Sequence, residues 1–183
     1  MSALSAPKNT TGDMKPLFKP LLAPTSGVPL KWQGQFCIAI PATAALAELD
    51  YAAVMASRAQ LQGLCAADDT WPPAHLTLAD DQADLTWHED EFRQGRSFAY
   101  SLLSHDRSRC LGCLYLYPTE SPAHSGEAYL WTSTSEPESL RNAIEADVMA
   151  WLANDWPLHD LAWPGRVIPF RQWPYANYYS AKR

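Results

Sequence analysis

The sequence predicts an α+β layer fold, a mixed and mostly antiparallel sheet flanked by helices. Three observations carry this. Apolar residues recur at helical spacing over 43–92, strand-like runs fill 97–132, and the strongest helix signal of the chain follows directly. Helices gathered on an antiparallel meander bury their apolar faces as layers around one core. With 183 residues, 47% apolar and 19% charged, the chain suffices for one domain and not comfortably for two.

The elements follow in order. Residues 1–30 hold Pro7, Pro16, Pro20, Pro24 and Pro29 with little periodicity, and read as a loosely ordered arm ahead of a single domain over 31–183. Gln35–Ile40 is an apolar run stopped by Pro41, a strand. Thr43 caps a helix carrying Leu46, Leu49, Ala53 and Val54, and a short second helix follows through Arg58, Leu61 and Leu64. Thr77 and Asp80 form a capping pair for a third helix, with Leu85, His88 and Phe92 on one face and Gly95 at its end. The acidic run Glu89–Glu91 reads as a solvated face of that helix, and His88 as a packed histidine bonded to a backbone carbonyl. The period then changes: Ser97–Leu103 and Leu111–Tyr117 form a hairpin across His105–Arg109, and Glu127–Thr132 is a third strand. Ser135–Glu138 reads as a capping box with Pro137 in the first turn, opening a helix striped by Leu140, Ile144, Val148, Trp151 and Leu152. Weaker strand signals lie at Leu161–Trp163 and Val167–Phe170.

Composition narrows the function. A net charge of −6 argues against nucleic acid or an anionic membrane as partner, since both select a basic face. No apolar run approaches the about 18 residues of a membrane span, and the first residues lack a signal-peptide pattern. These features predict a cytoplasmic protein with reduced thiols. Cys110-x-x-Cys113 invites a zinc or redox reading. Residues three apart on a regular strand point to opposite faces, however, so the expectation is two buried thiols and no metal.

Several stretches, in this order, resemble the GNAT superfamily of N-acetyltransferases, in a bacterial branch. They are Leu49-Asp50-Tyr51 with Val54-Met55-Ala56-Ser57-Arg58, the Leu85–Phe92 face, Ser97-Phe98-Ala99-Tyr100, Arg109-Cys110-Leu111-Gly112-Cys113-Leu114-Tyr115, Trp151–Trp156 and Trp163-Pro164-Gly165-Arg166. The similarity spans about Phe36 to Trp173. It implies a GNAT-like sheet and acetyl-CoA bound where two parallel strands splay apart. The strand Glu127–Thr132 would offer Leu130, Trp131 and Thr132 to the pantetheine. The turn after it would hold the pyrophosphate through Ser133, Thr134, Ser135 and Arg141, where exposed N–H groups at a helix start favour an anion.

That turn departs from the family's Arg/Gln-x-x-Gly-x-Gly/Ala pattern. Ser133–Asn142 has no glycine, Pro137 has no N–H, and Glu136 and Glu138 bring negative charge. The resemblance implies direct transfer of acetyl from acetyl-CoA to a small-molecule amine. Glu127 would take the ammonium proton, and Tyr115 or Tyr117 would return one to the thiolate, with Tyr175, Tyr178 and Tyr179 as alternatives. Two rivals stand beside it: a non-catalytic GNAT-fold protein binding a ligand or partner in the same cleft, and an acyltransferase using another donor. The oligomeric state, a homodimer included, stays open.

Overall fold

The computed structural model describes residues 18–23 and 27–182; most of the Pro-rich arm lies outside them. Five strands form one sheet in the order β1 (Trp32–Gln33), β2 (Ile38–Pro41), β3 (Phe98–Leu103), β4 (Cys110–Tyr117) and β5 (Glu127–Thr132). Every neighbouring pair is antiparallel. On one face lie α1 (Ala47–Ala56), α2 (Arg58–Leu61) and α3 (Leu78–Arg93), and on the other α4 (Glu138–Asp155). A short α5 (Tyr178–Lys182) closes the chain.

Both faces are covered, which explains why β3, β4 and β5 read as continuous apolar runs: every residue in them is buried. Tyr115, Tyr117, Tyr129 and Trp131 pack with Val54, Leu61 and Leu85. On the opposite face Leu111, Leu114, Leu116 and Leu130 pack with Ile144, Val148, Trp151 and Leu152 of α4. Trp32 stacks on Trp151 at 4.8 Å, so the short β1 is pinned through its side chain. The described part of the arm lies along the domain. Leu21 and Leu22 donate to the carbonyls of Arg96 and Gly95, and Phe18 packs edge-on against Tyr178.

The Thr77–Asp80 capping box is present, each side chain accepting the other's backbone N–H. Several expectations need correction. Thr43 precedes a 3-10 turn and makes no side-chain cap bond. The Ser135 box is absent: α4 begins at Glu138 with Pro137 as its N-cap. The Ser135 and Glu136 amides are already spent on Ser133 in a tight turn, and Pro137 holds an extended ψ of 143°. The strands expected near Leu161 and Val167 shrink to two isolated parallel bridges, Glu127 with Ala162 and Pro164 with Ile168. Finally, Glu91 is not on a solvated face. It is 3% exposed and accepts from Arg96, Ser97 and Tyr178, joining α3 to β3 and α5.

His88 is packed as expected, stacked between Tyr115 and Tyr179, but its Nε2 lies 3.5 Å from Asp84 Oδ2 rather than on a carbonyl. The opposite-face argument for Cys110 and Cys113 also fails. The β3–β4 register slips between Leu102 and Leu103, so that Leu102 faces Gly112 while Leu103 faces Cys110. Such a bulge adds one residue and shifts the alternation. Leu111 turns to the α4 side, and both cysteines fall on the α1 side.

Gly112 makes this bulge possible with φ 149°, and a Cβ there would collide with the carbonyl oxygen of Trp131. Gly112→Ala is therefore expected to destabilise the protein by about 3 kcal/mol. Urea unfolding checks it, and an unchanged midpoint would contradict the role given to this glycine.

Candidate functional site

Among the described residues β5 is an edge strand, and the one parallel segment that pairs with it leaves early. Ala128 N–H donates to Ala162 O (2.8 Å), and Ala162 N–H donates to Gly126 O (2.9 Å). Beyond Ala162 the chain turns through Trp163–Ile168, with Gly165 at φ 77° and the amides of Val167 and Ile168 on the carbonyl of Trp163. The two segments splay apart. A cleft of about 230 Å³ opens between them, with Ala128, Tyr129 and Leu130 on one wall, Pro164–Arg166 on the other, and Gln60, Gly63 and Leu64 at its side.

A hydrogen-bonded chain runs along this cleft. Arg166 donates to Leu130 O (3.0 Å) and pairs with Glu145 (2.7 Å). Glu145 accepts from Thr132 Oγ1, which accepts from Arg141 Nε, and Arg141 donates on to Gln60. One guanidinium, Arg166, thus lines the cleft, and a second, Arg141, is tied to its side through Gln60. Arg166 and Gln60 were not among the site residues expected from sequence, although Trp163-Pro164-Gly165-Arg166 was one of the stretches that carried the resemblance.

The turn after β5 is already satisfied by the protein. Ser133 N–H donates to Leu111 O, Thr134 N–H to Ser57 Oγ, Ser135 N–H to Ser133 Oγ, and Glu136 N–H to Ser133 O. Thr134 Oγ1 donates to Ala56 O. These amides hold the turn against the end of α1. Glu136 is neutralised by an ion pair with Arg109.

Glu127 stands at the vertex of the splay and is fully buried. Its Oε2 accepts from the Tyr129 hydroxyl at 2.6 Å. Among the described residues no group lies in hydrogen-bond geometry with its Oε1, nor with the buried Trp173 Nε1 and Asn177 Nδ2. Burial pushes the Glu127 carboxyl above the usual carboxylate range, while Tyr129, Thr119, Trp173 and Asn177 work in the other direction. A second pocket, about 330 Å³, is walled by Tyr129, Phe170, Trp173, Tyr175 and Asn177, together with Cys65–Ala67 and Arg171. Tyr129 lines both spaces.

The remaining candidates lie elsewhere. Tyr115 and Tyr117 stack on each other in the core, and burial raises both phenols; neither lines the cleft or the aromatic pocket. Trp131 is fully buried and donates to the Tyr115 hydroxyl. Tyr178 and Tyr179 bond Glu91 and Asp84. Of the tyrosines considered, only Tyr175 reaches the aromatic pocket.

No family model matches the sequence, and no curated protein matches it. Solved structures do match in fold. One is the ribosomal-protein-S5-alanine acetyltransferase from Vibrio fischeri, 13% identical with a TM-score of 0.54, over 74% of this chain and 73% of that one. Another is an acetyltransferase from Salmonella typhimurium that modifies the N-terminal serine of a 50S ribosomal subunit protein. It is 12% identical with a TM-score of 0.50, over 69% and 67% of the two chains. RimL, a ribosomal α-N-protein acetyltransferase, is 14% identical with a TM-score of 0.50. The match covers 69% of this chain and 64% of RimL, just under two thirds of that protein's length.

The raised Glu127 carboxyl has a consequence for stability. The folded protein keeps this proton at pH values where the unfolded chain has lost it, so stability falls as pH rises from about 4.5 through the folded value. Asp81, raised to about 8 by burial and by Asp50 and Asp84, contributes a slope of the same sign. Glu127→Gln is expected to flatten part of the pH–stability profile, leaving the Asp81 part. Urea unfolding at about pH 5 and pH 8 reads the difference; an unchanged slope would place the Glu127 carboxyl outside this linkage.

Proposed function

We propose that this chain, which has the fold of the GNAT acetyltransferases, transfers an acetyl group from acetyl-CoA to the amine of a small molecule. The observation that carries the reading is the meeting of two spaces at Tyr129, with the buried Glu127 carboxylate behind its hydroxyl. The splayed cleft suits the thioester arm of the donor, and the aromatic pocket suits the acceptor. Three of the structural neighbours act on ribosomal proteins by name. A pocket of about 330 Å³ with aromatic walls favours instead a compact amine held by its apolar body.

The chemistry follows from the arrangement. An ammonium acceptor must lose a proton before its lone pair can attack. Tyr129 passes that proton to Glu127 Oε2, its own hydroxyl proton moving to the carboxylate as it receives the amine's. The amine nitrogen then bonds to the thioester carbon, the carbon–sulfur bond breaks, and the thiolate takes up a proton from a phenol that is reprotonated by the second proton the nitrogen sheds as the amide forms. Tyr175 is the pocket phenol placed to supply it. Since the Ser133–Glu136 amides are engaged, the pyrophosphate falls to Arg141 and Arg166 instead of a backbone cradle. Charge-assisted contacts of this kind are the stronger class of hydrogen bond.

One observation favours a second reading. The same engaged amides, with Arg166 bonded to the Leu130 carbonyl, fit a non-catalytic protein that uses the cleft for another ligand or a partner.

Titration with acetyl-CoA separates the two. The enzyme reading expects a rise in Tm by mass action and a loss of roughly 10-fold in affinity for Arg141→Ala. For Glu127→Gln it expects kcat to fall by about 100-fold or more with acetyl-CoA affinity kept. Absence of any thermal shift at millimolar acetyl-CoA would defeat the enzyme reading and leave the binding one.

A further inference from the structure

The bulge of β4 assembles a group of side chains that the acyl-transfer reading does not use. Cys110 and Cys113 share the α1 face, and Asp50 of α1 reaches between them. Asp50 Oδ1 lies 3.2 Å from Cys113 Sγ and 3.7 Å from Cys110 Sγ, and one donor atom from each of the three residues falls within 4.8 Å of the others. The three residues are 4%, 7% and 1% exposed in chain order. Among the described residues, no lysine or arginine forms an ion pair with this buried carboxylate.

Two thiols and one carboxylate oxygen, close and convergent, form a donor set with a clear preference. Calcium and magnesium select oxygen cages. Soft sulfur donors with one oxygen select zinc or a similar thiophilic divalent ion, with water completing four-coordination. The site also has an approach. Cys110 lines a cavity of about 210 Å³ whose walls include the exposed Ser108 and Arg109.

We propose that Asp50, Cys110 and Cys113 bind a single zinc ion or a related thiophilic divalent cation, fastening α1 to β4. Binding replaces the two thiol protons, which pass to solvent, by two sulfur–metal bonds. The ion supplies the positive charge that the buried carboxylate otherwise lacks. No electron transfer is involved.

The test uses the full chain, reduced, stripped with a chelator and titrated with cobalt(II). The expected result is one equivalent bound, with thiolate-to-cobalt charge-transfer absorption that zinc displaces. Cys110→Ser and Cys113→Ser should each weaken binding on the order of 100-fold. Asp50→Asn should weaken it while keeping the charge-transfer band, and Cys37→Ser with Cys65→Ser should leave it unchanged. If a variant fails to fold, alkylation of the wild-type protein with peptide mapping serves instead: zinc should protect Cys110 and Cys113 and not Cys37 or Cys65. Absence of the charge-transfer band, its survival when both Cys110 and Cys113 are serine, or equal protection of all four thiols would each overturn the proposal.

Discussion

The last quarter of the chain joins the sheet through two hydrogen bonds, Ala128 to Ala162 and Ala162 to Gly126, and their early end shapes everything around β5. A longer parallel ladder would pair the β5 edge and leave no cleft. None at all would leave the segment after α4 without a register. One bridge fixes the direction of approach and then releases the chain into the Trp163–Ile168 turn, where Gly165 lies so close to Phe170 that a Cβ would strike the ring. Trp173 and Asn177 come to the Glu127 side as a result, and Tyr129, whose hydroxyl bonds the carboxylate at the bridge, becomes the wall shared by two spaces.

The interior also holds other carboxyl groups. Asp50, Asp81, Glu91 and Glu127 are all nearly or fully buried. They are handled differently. Glu91 has Arg96 as counter-charge and two hydroxyl donors. Glu127 has one phenol, and Asp50 has two weak thiol donors. Asp81 has one oxygen without a hydrogen-bond partner and is held protonated to about pH 8. Burying a charge is costly unless it is paired. A fold that tolerates several incompletely paired carboxylates concentrates its instability between α1, α3 and β5, where binding of ligand protons or cations has the most to relieve.

Much of the architecture was legible. Continuous apolar runs located β3, β4 and β5, and helical stripes located α1, α3 and α4, because those patterns depend on local periodicity alone. Glu127 was legible as a carboxylate opening an edge strand, and the Ser133–Asn142 turn as one ill suited to cradle a phosphate. What escaped was set by distant contacts. The side of the sheet that Cys110 faces depends on a register slip opposite Leu103, and no spacing rule reveals a bulge of that kind. Glu91 looked like part of a charged surface because its partners, Arg96 and Tyr178, are drawn together only by the tertiary fold. Tyr115 and Tyr117 were proton donors by the family resemblance, yet full burial of both strand faces puts them in the core. The β1 strand is two residues long, too short for a periodic signal, and it holds through the stacking of Trp32 on Trp151.

Arg166 links the two walls of the cleft, with one nitrogen on the Leu130 carbonyl and another on Glu145. The protein thereby carries an internal competitor for its own groove. On the acyl-transfer reading, a pantetheine amide that donates to the Leu130 carbonyl would have to displace that guanidinium, so observed affinity would be the intrinsic affinity reduced by the fraction of molecules in which that latch is open. Salt then acts on both sides of the exchange. It screens an anionic ligand from Arg141 and Arg166, and it also loosens the Arg166–Glu145 pair that holds the latch shut. On the acyl-transfer reading the ionic-strength dependence of occupancy would therefore be flatter than the two cations alone would give.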